Sequence, residues 1–308
     1  MILRHGHVIA EGSWKPEKLE EPHVLNSVTK SFTATAVGLA IESGKLKLDD
    51  RVVKFFPEDV PADALDNLKA MTVRDLLTMS GGHDTEPQSG PGGPTVKQFL
   101  AHPVVFSPGT HFQYNTMGSY VLSSIVTRVS GQTVREYLTT RLFEPLGVAA
   151  PRWASSPEGN SLGGSGLWLR TEDIAKFGQL YLQRGKWHGK QLVPEKWVEQ
   201  ATRKQIENKD EWHAQIGPDW REGYGFQFWR CRHNAYRADG AGGQFIVVMP
   251  EQDMVVAMTA ESDNFQAQLD AIWDHLLPAA RAKVFPEDAV AQKDLEHAIA
   301  DLAAHPAK

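Results

Sequence analysis

Asn26-Ser27-Val28-Thr29-Lys30-Ser31-Phe32 opens the longest unbroken helical pattern in the sequence. Apolar residues recur through this pattern at the spacing of one helical face, and Gly44 supplies a stop signal at its end. We therefore predict a helix over residues 27–43. Its inward-facing apolar stripe would consist of Val28, Phe32, Ala36, Leu39 and Ala40.

Ser27 and Lys30 stand three positions apart, so both side chains lie on one face of this predicted helix. A serine hydroxyl needs a base to become a useful nucleophile, and a lysine amine can help when burial lowers its pKa. The amino-terminal end of a helix favours an oxyanion and disfavours an ammonium ion. The alternative is a helix cap beside a solvated lysine, but so apolar a helix would make an unpaired Lys30 costly.

The composition is that of an ordinary globular protein, since 41% of the 308 residues are hydrophobic and 23% are charged. The formal net charge is -6, the isoelectric point is near 6.1, and long charged runs are absent from the sequence. These values argue against nucleic acid or a membrane surface as a partner. We expect a small or neutral ligand, and the sequence leaves the oligomeric state open.

Cys231 is the single cysteine, which excludes an intrachain disulfide and fits a reducing compartment. Residues 1–6 have too short an apolar run for a signal peptide, and no stretch approaches the roughly 20 apolar residues of a membrane span. We therefore expect a cytoplasmic protein. Because the chain opens on a strand pattern, we also expect that an amino-terminal helix is missing or trimmed.

Periodicity predicts most of the remaining elements. Thr72 caps a predicted helix that has Asp75 in its first turn, and Thr171 caps another. A helix over residues 117–129 is bounded by Gly131. An antiparallel meander is predicted from strands 224–229, 235–238, 244–249 and 254–259, with helices over 265–277 and near 294–303.

Histidines in two segments could have functional roles, although each group also has a simpler explanation. His5 and His7 belong to a predicted hairpin over residues 1–14 but lack further ligands at metal-binding spacing, which argues against a metal site. The breaker-rich loop 80–94 contains His83 beside Asp84, a pair that suits a charge relay, although an exposed polar loop explains it as well.

Two glycine-rich turns and one tyrosine complete the candidate site segments. Gly163-Gly164-Ser165-Gly166 lacks the lysine of a phosphate loop, so we expect it to allow close backbone approach to another segment. Gly240-Ala241-Gly242-Gly243 forms a turn at a strand edge. Tyr114 precedes a helix, where a phenol can project into a cleft.

Ser27-x-x-Lys30, Tyr114 and the Gly240–Gly243 edge, in this order, resemble the serine β-lactamase and penicillin-binding-protein superfamily. The resemblance is to its class C-like branch, which includes esterases and amide hydrolases, and it extends over nearly the whole chain. It implies that Ser27 is the acylated nucleophile and that Lys30 lowers its proton affinity. Tyr114 would be the general base and acid, and the backbone N–H groups of Ser27 and Ala241 would form the oxyanion hole.

Two departures from the family pattern bear on the substrate. The second motif commonly ends in Asn, where this chain has Thr116, which cannot offer an amide's donor and acceptor pair. The third motif usually begins with a cation, whereas this chain has Ala238-Asp239-Gly240. Asp239 would repel the carboxylate of a β-lactam or peptide. The resemblance therefore implies substrate contacts by Thr116, Asp239, Gly240 and Gly242, and it favours uncharged esters and amides.

The implied fold is α+β, with an antiparallel sheet flanked by helices plus a mainly helical region. Residues 1–55 and 223–308 would form the sheet region, residues 56–222 the inserted helical region, and the active site would lie at their seam. No metal or cofactor is expected. Loop 80–94 and some of five tryptophans could shape an apolar acyl pocket, although packing explains most of them: Trp153, Trp168, Trp212, Trp220 and Trp229.

Three functional hypotheses follow. The first is a serine hydrolase that cleaves small carboxylic esters or amides through an acyl-enzyme on Ser27. The second is a β-lactamase or D-alanyl carboxypeptidase of the penicillin-binding-protein type, which Ala238 and Asp239 disfavour. The third is a non-catalytic sensor that retains the fold, which the intact Ser27, Lys30 and Tyr114 set argues against.

Overall fold

Strands from both ends of the chain build the main sheet of the protein. A computed structural model describes residues 1–208, 215–280 and 287–304. The strands are β1 Ile2–Arg4, β2 His7–Ala10, β3 His23–Val24, β4 Arg152–Trp153, β5 Leu167–Leu169, β6 Lys186–Trp187, β7 Lys190–Gln191, β8 Trp229–Arg230, β9 Tyr236–Gly240, β10 Gln244–Met249 and β11 Met254–Met258.

Most of the helices lie between the two groups of strands that form this sheet, and the last three follow its final strand. They are α1 Thr29–Glu42, α2 Asp66–Ala70, α3 Val73–Leu77, α4 Val96–Ala101, α5 Thr116–Ser130, α6 Val134–Leu138, α7 Glu144–Leu146, α8 Thr171–Leu182, α9 Glu195–Thr202, α10 Phe265–Ala271, α11 Leu277–Ala279 and α12 Ala289–Ala304. A π-helical segment, Ile272–Leu276, joins α10 to α11.

The main sheet is antiparallel, with strand order β2-β1-β11-β10-β9-β8. At the centre of the sheet, Val247 of β10 pairs with Val256 of β11. Successive side chains along each strand point to opposite faces of the sheet. One face packs against α8, where a methyl group at Gly178 would lie 2.6 Å from Val255 Cγ1. The opposite face packs against Leu269 and the π-helical segment. The predicted antiparallel sheet with helices on both faces is confirmed.

Helix α1 is buried on almost every side, whereas the sequence predicts a single apolar stripe. Three hydroxyl side chains on the remaining faces, those of Ser31, Thr33 and Thr35, are also buried. Each has a partner: Ser31 Oγ donates to the Gln227 carbonyl at 2.6 Å, and Thr33 Oγ1 donates to the Gly163 carbonyl at 2.7 Å. Thr35 Oγ1 lies 2.7 Å from the Tyr181 hydroxyl. These bonds allow a partly polar helix to run through the core.

Several local predictions are confirmed by the structure. Thr72 and Asp75 form a capping box at α3, and α5 ends at Gly131 in the left-handed conformation. The first hairpin and the meander of β9, β10 and β11 are present. The seam boundaries at residues 55 and 222 stay a prediction, but α8 lies in the predicted inserted region and packs on the sheet.

Two local predictions are wrong. Residues 224–228 are not a strand, because Gln227 takes a positive φ of 61° and its N–H donates to the Leu77 carbonyl, so only Trp229 enters β8. Thr171 is not a cap but the first residue of α8. Arg170 holds the cap position, and its backbone N–H and guanidinium donate to Asp173.

Three features of the described residues bear on function. In the described part of the chain, none of the helices has the length and apolar character needed to cross a bilayer. His5 Nδ1 lies 2.8 Å from Asp253 Oδ2, and residues 1–208, 215–280 and 287–304 contain no cluster of three or more potential metal ligands. Cys231 is buried, and burial raises the pKa of its thiol to about 11, as expected of a packed cysteine.

Candidate active site

The turn that carries Ser27 lies directly before α1. Residues Asn26–Val28 form a short 3₁₀ turn, so the regular α-helix begins at Thr29, two residues later than predicted. Asn26 takes a left-handed φ of 46°, and its side-chain amide donates to the Ala241 carbonyl at 2.7 Å. This bond joins the segment of the nucleophile to the edge of the main sheet.

Lys30 is the buried cation of the site, with only 1% of its surface exposed. Its Nζ donates to Ser27 Oγ at 2.8 Å and to the Gly164 carbonyl oxygen at 2.8 Å. Burial lowers the pKa of the Lys30 amine to about 7, against the opposing fields of Glu86 and Asp239. A lysine of this kind is largely neutral just above pH 7 and can take a proton from the hydroxyl it contacts.

Tyr114 completes the predicted catalytic set. Its hydroxyl forms a hydrogen bond with Ser27, and Lys30 Nζ lies 4.9 Å from the centre of its ring. The ring stacks on Trp229 at a centroid distance of 5.7 Å. Burial raises the pKa of the Tyr114 phenol, so this phenol holds its proton more firmly than the Lys30 amine does.

The turn Gly163–Gly166 has the close backbone approach that its glycines predict. A methyl group at Gly163 would lie 2.5 Å from the Ser119 carbonyl oxygen. One at Gly164 would lie 2.6 Å from Thr116 Cγ2 and 2.8 Å from the Thr116 carbonyl oxygen. The absent side chains let this turn press against α5, and that position allows the Gly164 carbonyl to reach Lys30.

The strand edge that follows Asp239 also lies against the nucleophile's segment. A methyl group at Gly240 would lie 2.4 Å from the Leu25 carbonyl oxygen and 3.1 Å from the Val28 nitrogen. Gly242 has a φ of 82°, which a residue with a side chain rarely adopts. The structure thus brings Ala241 beside the Ser27 turn. The oxyanion hole made of their two N–H groups stays a prediction.

Thr116 and Asp239, two predicted substrate contacts, have further partners. The Thr116 N–H, at the start of α5, donates to Glu86 Oε1 at 2.6 Å. Asp239 Oδ2 accepts from Arg237 Nε at 2.8 Å, and the Arg237 side chain is fully buried, with its guanidinium 4.3 Å from the Trp220 ring centre. This ion pair weakens the repulsion that a free Asp239 would exert on an anion.

Sequence analysis missed Glu86, Arg237 and Asn26. Arg237 appears in the sequence as an ordinary strand residue, and Glu86 as one polar residue in a breaker-rich loop. Glu86 and Arg237 were hard to identify from the sequence because neither residue has a fixed spacing to Ser27. In the sequence, Glu86 is marked only by its place in a long loop, and loops of this length are usually either functional or loosely ordered.

His83, in the same loop, is not part of an exposed polar surface and does not form a relay. Only 2% of it is exposed, and its Nδ1 accepts from Asn115 Nδ2 at 3.2 Å. Burial, with His102 nearby, lowers the pKa of His83 to about 4. Asn115 in turn caps α5, since its Oδ1 accepts from the Gly118 N–H at 2.7 Å. His83 therefore supports the residue that follows Tyr114.

The five tryptophans have different surroundings. Trp229 stacks on Tyr114, Trp220 covers Arg237, and Trp153 belongs to the main core. Trp168 is 37% exposed, while Trp212 lies outside the described residues. Trp229 is thus in ring contact with a predicted catalytic residue. The expectation that most of these residues are packing agrees with these positions.

Known proteins resemble this chain over part or most of its length. A 6-aminohexanoate-dimer hydrolase of Paenarthrobacter ureafaciens is 25% identical over 278 residues, which cover 83% of this chain and 70% of that protein. A protein of Escherichia coli K12, provisionally named as a D-alanyl-D-alanine carboxypeptidase, is 26% identical over 177 residues. That match covers 48% of this chain and spans only 41% of the relative's length.

Solved structures give the same fold. EstCE1, described as a hydrolase with promiscuous acyltransferase activity, superposes with a TM-score of 0.70 at 20% identity, over 88% of this chain and 92% of that one. The profile of the family described as Beta-lactamase matches residues 1–280. With this match and the β-lactamase/transpeptidase-like fold, the chain belongs to the Beta-lactamase family of serine hydrolase type.

Proposed function

We propose that the protein cleaves small carboxylic esters or amides through an acyl-enzyme on Ser27. The observation that carries this proposal is the 2.8 Å hydrogen bond between the buried Lys30 amine and the Ser27 hydroxyl. A serine held against an amine with a pKa near 7 is a nucleophile paired with its base. Helix capping alone would not need a buried lysine.

Acylation begins when Ser27 Oγ attacks the carbonyl carbon and the π electron pair moves to the carbonyl oxygen. The hydroxyl proton passes to Lys30 Nζ. The N–H groups of Ser27 and Ala241 would stabilise the oxyanion, a contribution of about 3 kcal/mol in enzymes of this type. The tetrahedral intermediate then collapses, and the bond from carbon to the leaving oxygen or nitrogen breaks.

Tyr114 is best suited to donate the proton that the leaving group needs. Burial raises the pKa of its phenol, which makes it a weak candidate for the resting base that family resemblance suggests. In this proposal Tyr114 protonates the leaving alkoxide or amine and is recharged from the Lys30 ammonium group. The proton lost by Ser27 thus ends on the leaving group, and both enzyme residues return to their starting state.

Deacylation follows a similar course with water as the nucleophile. Water attacks the acyl carbon, Lys30 accepts a water proton, and the acid product forms as the bond to Ser27 Oγ breaks. The proton then returns from Lys30 to Ser27 Oγ. Lys30 is thus the base in both steps of this acyl-enzyme mechanism.

A β-lactamase or D-alanyl carboxypeptidase activity is the second candidate, supported by the name of the Escherichia coli relative. Comparing hydrolysis of a chromogenic cephalosporin with that of a short aryl ester separates the two candidates. We expect the ester to be preferred, because Ala238 occupies the position at which the family usually has a cation, and Asp239 follows it directly. A kcat/KM at least as high for the cephalosporin would favour the second candidate.

The decisive test is hydrolysis of p-nitrophenyl acetate and butyrate by the wild type, Ser27→Ala and Ser43→Ala. Ser43 is the control, since it caps the far end of α1 and its hydroxyl donates to the Ala40 carbonyl. Turnover and phosphonate labelling, the latter measured by intact mass, should vanish only in Ser27→Ala. Equal rates in all three proteins without an adduct would refute the proposal, and stoichiometric labelling without turnover would indicate a sensor.

A further inference from the structure

Glu86 brings a carboxylate from loop 80–94 to the active site. Its Oε1 accepts from the Thr116 N–H at 2.6 Å, and Thr116 packs against Gly164, whose carbonyl binds Lys30. Three contacts thus connect Glu86 to the catalytic amine. Glu86 is half-buried, so part of its side chain remains accessible to solvent.

Around the Ser27 hydroxyl, carboxylates outnumber cations once the Lys30 amine is neutral. The fields of two carboxylates, Glu86 and Asp239, reach Lys30 and Tyr114. Asp239 is paired with the buried Arg237, and the Lys30 amine loses its charge above pH 7. In the described ranges Glu86 has no ion pair, and its hydrogen bond from the Thr116 N–H occupies Oε1. Glu86 therefore brings to the site a carboxylate that has no ion-pair partner among the described residues.

We propose that Glu86 is a specificity-determining residue that selects substrates with a cationic group, such as an ammonium, near the scissile carbonyl. Its second carboxylate oxygen would face this group, and Thr116 would hold the carboxylate in position. An anionic substrate would meet an unfavourable field at the same place. This inference rests on the proposed hydrolase function, because it concerns which esters or amides that site accepts.

Two sets of esters with equal shape and different charge test the inference on both sides of the bond. The acyl set contains p-nitrophenyl esters of 4-(trimethylammonio)butanoate, of the neutral 5,5-dimethylhexanoate and of anionic glutarate. The leaving-group set contains acetylthiocholine and neutral S-(3,3-dimethylbutyl) thioacetate. The measured quantity is the ratio of kcat/KM for the cationic ester to that for its neutral partner, at pH 8 and low salt.

The wild type should favour the cationic ester by roughly tenfold in at least one set, an effect of one charge across a partly solvated cleft. Glu86→Gln should bring that ratio close to one, and added salt should lower it in the wild type. Asp84→Asn is the matched control, since Asp84 is an exposed carboxylate of the same loop that contacts Thr85. This variant should keep the wild-type ratio.

The outcomes distinguish a failure of the proposed role of Glu86 from a failure of the proposed hydrolase function. A ratio near one in both sets for the wild type, or a cationic preference that survives in Glu86→Gln, overturns the role of Glu86. Because the ratio compares two substrates of the same variant, a general loss of activity in Glu86→Gln cancels. Failure of the wild type to hydrolyse even the neutral esters would instead defeat the hydrolase proposal itself.

Discussion

The Lys30 amine nitrogen lies 2.8 Å from the carbonyl oxygen of Gly164, a residue 134 positions further along the chain. The second hydrogen bond of the amine goes to Ser27, its near neighbour in sequence. The Gly164 carbonyl therefore fixes the direction in which Nζ points. A turn that has no reacting group of its own in our proposal sets the geometry of the base.

Gly164→Ala should lower kcat/KM for a neutral aryl ester by about 10- to 100-fold, since small displacements of a catalytic group have costs of this size. The added methyl would meet the Thr116 carbonyl at 2.8 Å, so the turn and its carbonyl must move away from Lys30. Gly92→Ala is the control, because a methyl group there meets no atom within 4 Å. Wild-type activity in Gly164→Ala would show that the contact with Lys30 is dispensable.

The pH dependence of kcat/KM should follow Lys30. The amine must be neutral to accept the Ser27 proton, and burial lowers its pKa from 10.5 to about 7. For an uncharged ester, kcat/KM should rise roughly tenfold per unit below pH 7 and level off above it. Lys30→Arg should lose this activity at every pH, because a guanidinium stays protonated. A plateau reached only above pH 9 would contradict the lowered pKa.

His83 should make the fold sensitive to acid. Its pKa falls from 6.5 to about 4 in the folded protein, so the unfolded chain binds a proton more readily. The stability it contributes is present above pH 6.5 and is lost as the pH falls from 6.5 towards 4. The full loss amounts to about 3 kcal/mol at most.

Urea unfolding of the wild type and of His83→Gln at pH 7 and pH 4.5 measures this effect. His83→Gln should be less stable at pH 7, since a packed ring is removed, but its deficit should shrink at pH 4.5. His297→Gln, at an exposed position of α12, serves as the control and should parallel the wild type. A deficit that is equal at both pH values would mean that His83 contributes packing alone.

Sequence patterns located the elements whose signals are local. The capping box of Thr72 and Asp75 and the end of α5 at Gly131 follow from side chains within one or two turns. The proximity of Ser27 and Lys30 is local as well, since they stand three positions apart in the sequence. For such features, spacing along the chain is nearly the same information as distance in space.

Features that depend on tertiary contacts were not predictable in this way. The aromatic alternation over residues 224–229 indicates a strand, yet the side chain of Gln227 binds the Leu76 and Leu77 carbonyls and draws the segment to the end of α3. Glu86 and Arg237 gain their roles from partners on other segments. A single sequence contains no rule that links those positions.

Asn26 and Ala241, joined by one hydrogen bond, are separated by 215 positions in the chain. Helix α1 can therefore form early in folding, with Ser27 and Lys30 already adjacent, while the strand edge beside them is still missing. Contacts of such long sequence separation close late, because the entropy of the intervening loop must first be overcome. Enzymatic activity should thus return only in the slowest phase of refolding, and a partly folded chain would possess the serine and its lysine without the capacity to react.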